Sequence, residues 1–292
     1  GDTTPPEPEF LSATPWSSSA GDAGDRGHAA TAEGAAGSAA VPLCHLEEED
    51  GAQPPSACDV VLLADASSSM ADFGDAPFSG VVDFLTEQKA QALTAPGTPR
   101  HLEVRVFSDT CETVFSGEAA TITDAQIEAC GAALRKGGRT LLLDSVVCAI
   151  ADQQLRVAPP GVGASSGNPT RAIMGVLTDG CDNMSKSSQG RATGAVTEHR
   201  RRGAQFVWLQ ANLDAFAEVL AIGGEAQHAL QIGGSPAAMA AAMRSFTDAT
   251  TRYCSTPSGL SPSSTWETSP PAPPFAFTAL ERSVSCPVRG GY

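Results

Sequence analysis

Cys58-Asp59-Val60-Val61-Leu62-Leu63-Ala64-Asp65-Ala66-Ser67-Ser68-Ser69-Met70 is a short apolar run that stops at an aspartate and continues into alternating hydroxyls. Its Val- and Leu-rich centre, with no polar residue from Val60 to Ala64, predicts a strand buried on both faces. An open α/β sheet forms its ligand crevice where such strands end, so Asp65, Ser67 and Ser69 are delivered to that crevice. A carboxylate and two hydroxyls are hard oxygen donors of the kind that Mg²⁺ takes. Taken alone, the same residues also fit a strand end followed by an Asx or Ser turn, its hydroxyls bonded to local backbone.

Two further stretches favour the metal reading. Gly137-Gly138-Arg139-Thr140-Leu141-Leu142-Leu143-Asp144 is a glycine turn that brings a threonine to the start of an apolar helical run. Val176-Leu177-Thr178-Asp179-Gly180-Cys181-Asp182-Asn183 is a second apolar strand ending in Asp-Gly. These motifs, in this order, resemble the metal-ion-dependent adhesion site of the von Willebrand factor A domain. The resemblance implies a divalent cation, Mg²⁺ or else Mn²⁺ or Ca²⁺, held by Asp65, Ser67, Ser69, Thr140 and Asp179. It also implies an open coordination position that takes a Glu or Asp of a protein partner. Phe107-Ser108-Asp109-Thr110, the continuation Asn183-Met184-Ser185, and the stretch from Arg200 to Ala215 look like A-domain-like proteins of bacteria and their phages. The likeness runs from about residue 58 to 254. Two positions depart from the family pattern: Ser68 stands where glycine is usual, and Arg139 interrupts the glycine pair before the threonine.

Outward from these motifs, strands and helices alternate. Residues 78–93 read as an amphipathic helix. Residues 101–107 read as a strand with one wetter face, because Leu102, Val104 and Val106 alternate with charges. A short edge strand over 110–115 follows the Ser108-Asp109 turn. Helices follow over 123–130, where Thr123 and Gln126 resemble a capping box, and over 140–155. A Pro/Gly/Ser loop spans 157–169, and then come strand 173–178, helix 187–202 stopped by Gly203, strand 205–210, helix 213–222, strand 229–232 and helix 236–253. This order predicts an α/β fold: a doubly wound, mostly parallel, Rossmann-like sheet with helices on both faces.

The flanks differ in kind. Residues 1–57 are a low-complexity arm ending in the acidic run Glu47-Glu48-Glu49-Asp50, too poor in apolar surface to fold alone. Residues 255–292 form a Pro/Ser-rich tail whose apolar anchors are Trp266, Phe275, Phe277 and Leu280. Residues 58–254 are the expected domain between them. A net charge of -15 over 292 residues argues against a nucleic-acid partner, and no run of about twenty apolar residues predicts a membrane span. The first residue is glycine, which fits removal of a targeting segment and leaves an extracellular, organellar or particle-bound location open. Eight cysteines contain no C-x-x-C pair. Cys130 and Cys148 read as buried helix thiols, while Cys44, Cys58, Cys111, Cys181, Cys254 and Cys286 lie near element ends, where a disulfide is possible in an unspecified pairing. Asn183-Met184-Ser185 is a glycosylation sequon overlapping the proposed metal loop.

No phosphate-binding G-x-x-x-x-G-K-[ST] loop or G-x-S-x-G elbow is present, and none of the five histidines neighbours a proposed ligand. Asp72 and Asp75 read as solvated loop acids rather than ligands of a second, hydrolytic metal. The expected function is therefore a non-catalytic protein-binding or adhesion module that takes an acidic group through the metal. The alternative is a structural subunit in which the domain is a scaffold and the arms bind neighbours. A variant of the first has Glu267 or Glu281 from the tail plugging the open position.

Overall fold

A computed structural model describes residues 57–95, 98–157, 170–180, 182–211 and 214–255, together with Phe277. Almost all of the 1–57 arm, the 157–169 loop and the 255–292 tail, including Trp266, Glu267, Phe275, Leu280 and Glu281, lies outside the described residues.

Each apolar run becomes a strand. The chain runs β1 (Cys58–Asp65), α1 (Ala76–Thr94), β2 (Arg100–Phe107), β3 (Cys111–Glu118), α2 (Asp124–Ala132), α3 (Leu142–Arg156), β4 (Arg171–Thr178), α4 (Gln189–Arg201), β5 (Gln205–Ala211), α5 (Ala215–Ala221), β6 (Ala229–Ile232) and α6 (Pro236–Ser255). The sheet order is β3-β2-β1-β4-β5-β6. All neighbours are parallel except the β2–β3 hairpin. The chain leaves β1 first toward β2 and later returns on its other side as β4. The carboxyl ends of β1 and β4 therefore flank the point where the winding reverses, which is where such sheets bind ligands.

Every residue of β1 is buried, because strand side chains alternate between two helical layers. Val60, Leu62 and Ala64 face the layer of α1 and α6, with Phe84 and Phe246 stacked 5.2 Å apart. Val61 and Leu63 face Val146, Ile150, Val196 and Val219 of α3, α4 and α5. Burial of each such Val or Leu contributes roughly 1.5–3 kcal/mol. Gly175 of β4 has a steric reason to be glycine, since a Cβ there would lie 2.4 Å from the Phe246 ring.

Three expectations need correction or completion. The wetter face of β2 is not wet: Glu103 and Arg105 are buried, and His101 is half-buried. Helix α3 covers that face with its own polar residues. Arg156 reaches Glu103 at 2.6 Å and Asp59 at 2.9 Å, Arg105 pairs with Glu103 and with Asp152, and Gln153 donates to Asp59 at 2.7 Å. Alternation with charges thus marks an internal ion-pair ladder. Cys148 is exposed, whereas Cys130 is buried as expected. The buried positions of α3 are 142, 145, 146, 149, 150 and 153, so position 148 falls on its outer flank. Among the described residues Cys58 and Cys254 form a disulfide, joining the start of β1 to the end of α6 across a separation of 196 residues, and Cys111 is free; Cys44, Cys181 and Cys286 lie outside the described residues. A link of this kind contributes on the order of 2–5 kcal/mol.

Other expectations hold. Thr123 and Gln126 form the reciprocal capping box, and Gly203 follows α4 with a φ of 89°. Phe277, an expected anchor, is buried in the α1–α6 layer, and its N–H donates to the Gln227 carbonyl at 3.4 Å.

Candidate metal site

Asp65 is the last residue of β1 and is fully buried. Its Oδ1 accepts the Ser67 N–H at 2.7 Å, the local turn that the sequence allowed. Its Oδ2 accepts the Thr178 hydroxyl at 2.7 Å, which fixes the carboxylate against the end of β4. The Ser67 and Ser69 hydroxyls lie 3.1 Å apart, and Ser69 Oγ donates to Asp179 Oδ1 at 2.8 Å. Four of the five candidates therefore lie in one hydrogen-bonded chain across two strand ends.

Thr140 arrives from the third segment. Gly137 and Gly138 take φ values of 72° and 123°, which favour glycine, and turn the chain beneath the Ser67–Ser69 loop. The Gly138 carbonyl accepts the Ser68 N–H at 3.0 Å, and the Gly138 N–H donates to Ser68 Oγ at 3.0 Å. Ser68, the departure from the family glycine, thus clamps the two loops together. Arg139, the other departure, donates its N–H to Asp109 Oδ1 at 3.1 Å and leaves Thr140 in place. A Cβ built on Gly180 would lie 3.8 Å from Thr140 Oγ1 and 3.9 Å from Ser69 Oγ, so both hydroxyls border the same glycine. Thr140 is itself buried.

Three supporting residues carried no role in the sequence reading. Asn183 Oδ1 accepts the Thr140 N–H at 2.9 Å, while the Asn183 N–H donates to the Thr140 carbonyl at 3.1 Å. Asp182 Oδ1 accepts the N–H groups of Leu142 and Leu143 at 2.9 and 3.2 Å, holding the start of α3. Thr178 anchors Asp65. The available signal was position: all three adjoin or closely follow Asp179 in the motif. Asp72 and Asp75 are not drawn in, since Asp72 is exposed and Asp75 pairs with Arg135 on the surface at 2.8 Å. His101, His199 and His228 also lie outside the cluster; His28 and His45 are outside the described residues.

The electrostatics show what the cluster lacks. Burial pushes the Asp65 carboxyl above its ordinary value of 3.8, and nearby Asp179 adds to the rise. Burial likewise raises Asp179, with Asp72 contributing. Among the described residues neither carboxylate has a Lys, Arg or His ion-pair partner, and the buried Asp179 Oδ2 accepts no hydrogen bond. An orphaned buried acceptor costs about 1–3 kcal/mol. Two carboxylates, three hydroxyls and one unsatisfied anionic oxygen suit a hard divalent cation. Among the described residues no group of three or more His, Cys, Asp or Glu side chains is placed to hold a metal ion, so any cation here would rest on hydroxyls as well as on the two carboxylates.

No family model and no curated protein matches the chain. Among solved structures, the pilus adhesin SpaC of Lactobacillus rhamnosus GG is similar at 16% identity and a TM-score of 0.52; the match covers 68% of this chain and 31% of the adhesin. A von Willebrand factor type A protein of Catenulispora acidiphila matches at 18% identity and a TM-score of 0.46, over 68% of this chain and 43% of that one. Proximal thread matrix protein 1 of the mussel byssus, in a form with a zinc-occupied MIDAS motif, matches at 17% identity and a TM-score of 0.45 over 70% and 47%. The chain spans less than a third of the adhesin's length. At these identities the likeness concerns the fold alone, and the fold is of the von Willebrand factor A type.

Proposed function

We propose that this A-type fold serves as a non-catalytic interaction module that holds a divalent cation, Mg²⁺ first, through Asp65, Ser67, Ser69, Thr140 and Asp179. The observation that carries the reading is the unsatisfied, buried Asp179 Oδ2 beside a second buried carboxylate, with no basic side chain among the described residues paired to either. Asp65 and Asp179 would only just offset the charge of a dication, and the neutral hydroxyls of Ser67, Ser69 and Thr140 would complete a weak-field set that leaves room for one more oxygen. When bound, the ion supplies a Lewis-acidic position for an anionic oxygen from outside the chain. The residues here orient the site: Thr178 and Ser67 hold Asp65, Ser69 links to Asp179, and Asn183 holds the Thr140 backbone. The guest that suits this charge is a Glu or Asp side chain of a protein partner. Mn²⁺ and Ca²⁺ share the donor preference for oxygen and are the next candidates.

The test is partner capture with and without EDTA, on the parent chain and on Asp65→Ala. Loss of capture under both conditions supports a metal-held acidic contact. Capture indifferent to both, but lost on deletion of residues 1–56, transfers the function to the arm and makes the domain a scaffold. Deleting 255–292 is a poorer control, because it removes Phe277 from the core.

A further inference from the structure

A cavity of about 340 Å³ opens directly beside the candidate metal site, walled by Ser67, Ser68, Met70, Phe78, Leu134 and Arg135. Ser67 belongs to both the cavity and the cluster around Asp65, so a group bound at the cluster has this cavity as its neighbour. Its floor is apolar: Met70 and Leu134 are buried, and Phe78 packs under the Arg135 guanidinium, 4.1 Å from the ring centroid. The volume lies at the small end of ligand pockets and suits one apolar side chain.

The rim is built of ion pairs. Arg135, Lys136 and Arg139 occur within five residues in a chain with only 18 Lys and Arg and a net charge of -15. Each pairs with a surface acid, Asp75, Glu112 and Asp109 respectively, and the three basic side chains are 55%, 40% and 67% exposed. Exposed pairs of this kind are worth roughly 0–1 kcal/mol, so a guest carboxylate can exchange into them at little cost.

The geometry points to a specificity pocket: the partner is an acidic peptide segment with an apolar side chain next to its coordinating acid, the acid at the metal and the apolar side chain in the Met70–Phe78–Leu134 cavity. This rests on the metal reading above and names the class of partner that the same site selects. The Arg135 face over Phe78 forms one wall against which a planar or branched side chain packs.

The probe is a set of capped seven-residue peptides with a central glutamate flanked by glycine, alanine, leucine or phenylalanine, and a matching set with central glutamine. Binding is followed by fluorescence polarisation on the full chain in millimolar Mg²⁺ and again in EDTA. Glutamate peptides with leucine or phenylalanine beside the acid are expected to bind about tenfold more tightly than those flanked by glycine. That gain should vanish with glutamine or EDTA. Ala71→Phe fills the cavity from an exposed position and should abolish the gain while leaving Mg²⁺ binding in place. Arg135→Ala, also at the surface, should reduce it. Glutamate binding that needs Mg²⁺ but ignores the flanking residue and Ala71→Phe overturns the pocket and leaves the metal reading standing. Apolar peptides that bind equally with glutamine or EDTA overturn the pairing of the two contacts. No binding by any glutamate peptide overturns this inference, and a parallel Mg²⁺ titration of the same protein shows whether the metal reading falls with it.

Discussion

Asp59 and Asp65 sit near opposite ends of the same strand, both buried, and their surroundings treat them in opposite ways. Burial works to raise the Asp59 pKa, but His101, Arg156 and Gln153 outweigh it and hold the carboxyl below 3.8. At Asp65 burial wins, helped by Asp179, and the carboxyl is held above 3.8 despite two good hydrogen bonds. Both ends gather acids: Asp59, Glu103 and Asp152 at one, Asp65 and Asp179 at the other. Only the first brings arginines of its own, Arg105 and Arg156. The amino end is electrostatically complete. The carboxyl end is short of positive charge and leaves Asp179 Oδ2 without a hydrogen bond, two deficits that the proposed cation would relieve.

The comparison breaks most severely at Arg156. Arg156→Met leaves Asp59 and Glu103 buried with fewer cationic partners, and the expected loss is about 3–5 kcal/mol of unfolding free energy in urea. A loss under about 1 kcal/mol would mean that the ladder is solvated and that the two ends do not differ as described.

The next effect is in pH. His199, buried on α4, has its pKa lowered to about 4, chiefly by burial and then by Arg202, with Asp59 acting the other way. Its neutral form is favoured in the fold, so its contribution is complete above the unfolded value of 6.5. That contribution drains away as pH falls from 6.5 toward 4, by roughly 3 kcal/mol at most. Chemical denaturation across that window should show the slope, and His199→Asn should flatten it. The raised carboxyls of Asp65 and Asp179 have the opposite sign without metal: they gain stability on acidification in the range just above 3.8.

A smaller effect separates the two ends by sign. Asp179→Asn removes a buried, unpaired charge and should raise metal-free stability by about 1 kcal/mol, since a neutral amide costs less to bury than a carboxylate. Asp59→Asn should do the reverse, because it leaves the half-buried Arg156 with Glu103 as its one remaining anion among the described residues. Equal destabilisation by both variants would erase the contrast. The smallest test is Ser68→Gly, which deletes the Gly138 N–H···Oγ bond. The expected cost is about 0.5–1.5 kcal/mol in unfolding free energy.

The carboxyl end was legible in the sequence because its parts are local. An unbroken apolar run ending in Asp65-x-Ser67-x-Ser69 fixes strand, strand end and oxygen donors within a dozen residues. Glycines before Thr140 and after Asp179 mark the other two loops. The amino end was not legible, because its partners are remote: Arg156 and Gln153 meet Asp59 from nearly a hundred residues away. Single-strand periodicity cannot distinguish a charge facing water from one facing a helix. The same remoteness hid the Cys58–Cys254 pairing. The second tier of the site, Thr178, Asp182 and Asn183, lay in plain view beside Asp179. Their roles follow only from where two loops meet.

The central claim is that the Asp65–Asp179 cluster takes a divalent cation that the chain itself does not replace. Calorimetric titration of Mg²⁺ into the metal-stripped protein at neutral pH tests it directly. The account predicts saturable binding of one ion per chain, abolished by Asp179→Asn and by Thr140→Ala. Absence of saturable binding up to millimolar Mg²⁺ and Mn²⁺, or undiminished binding in both variants, would contradict it.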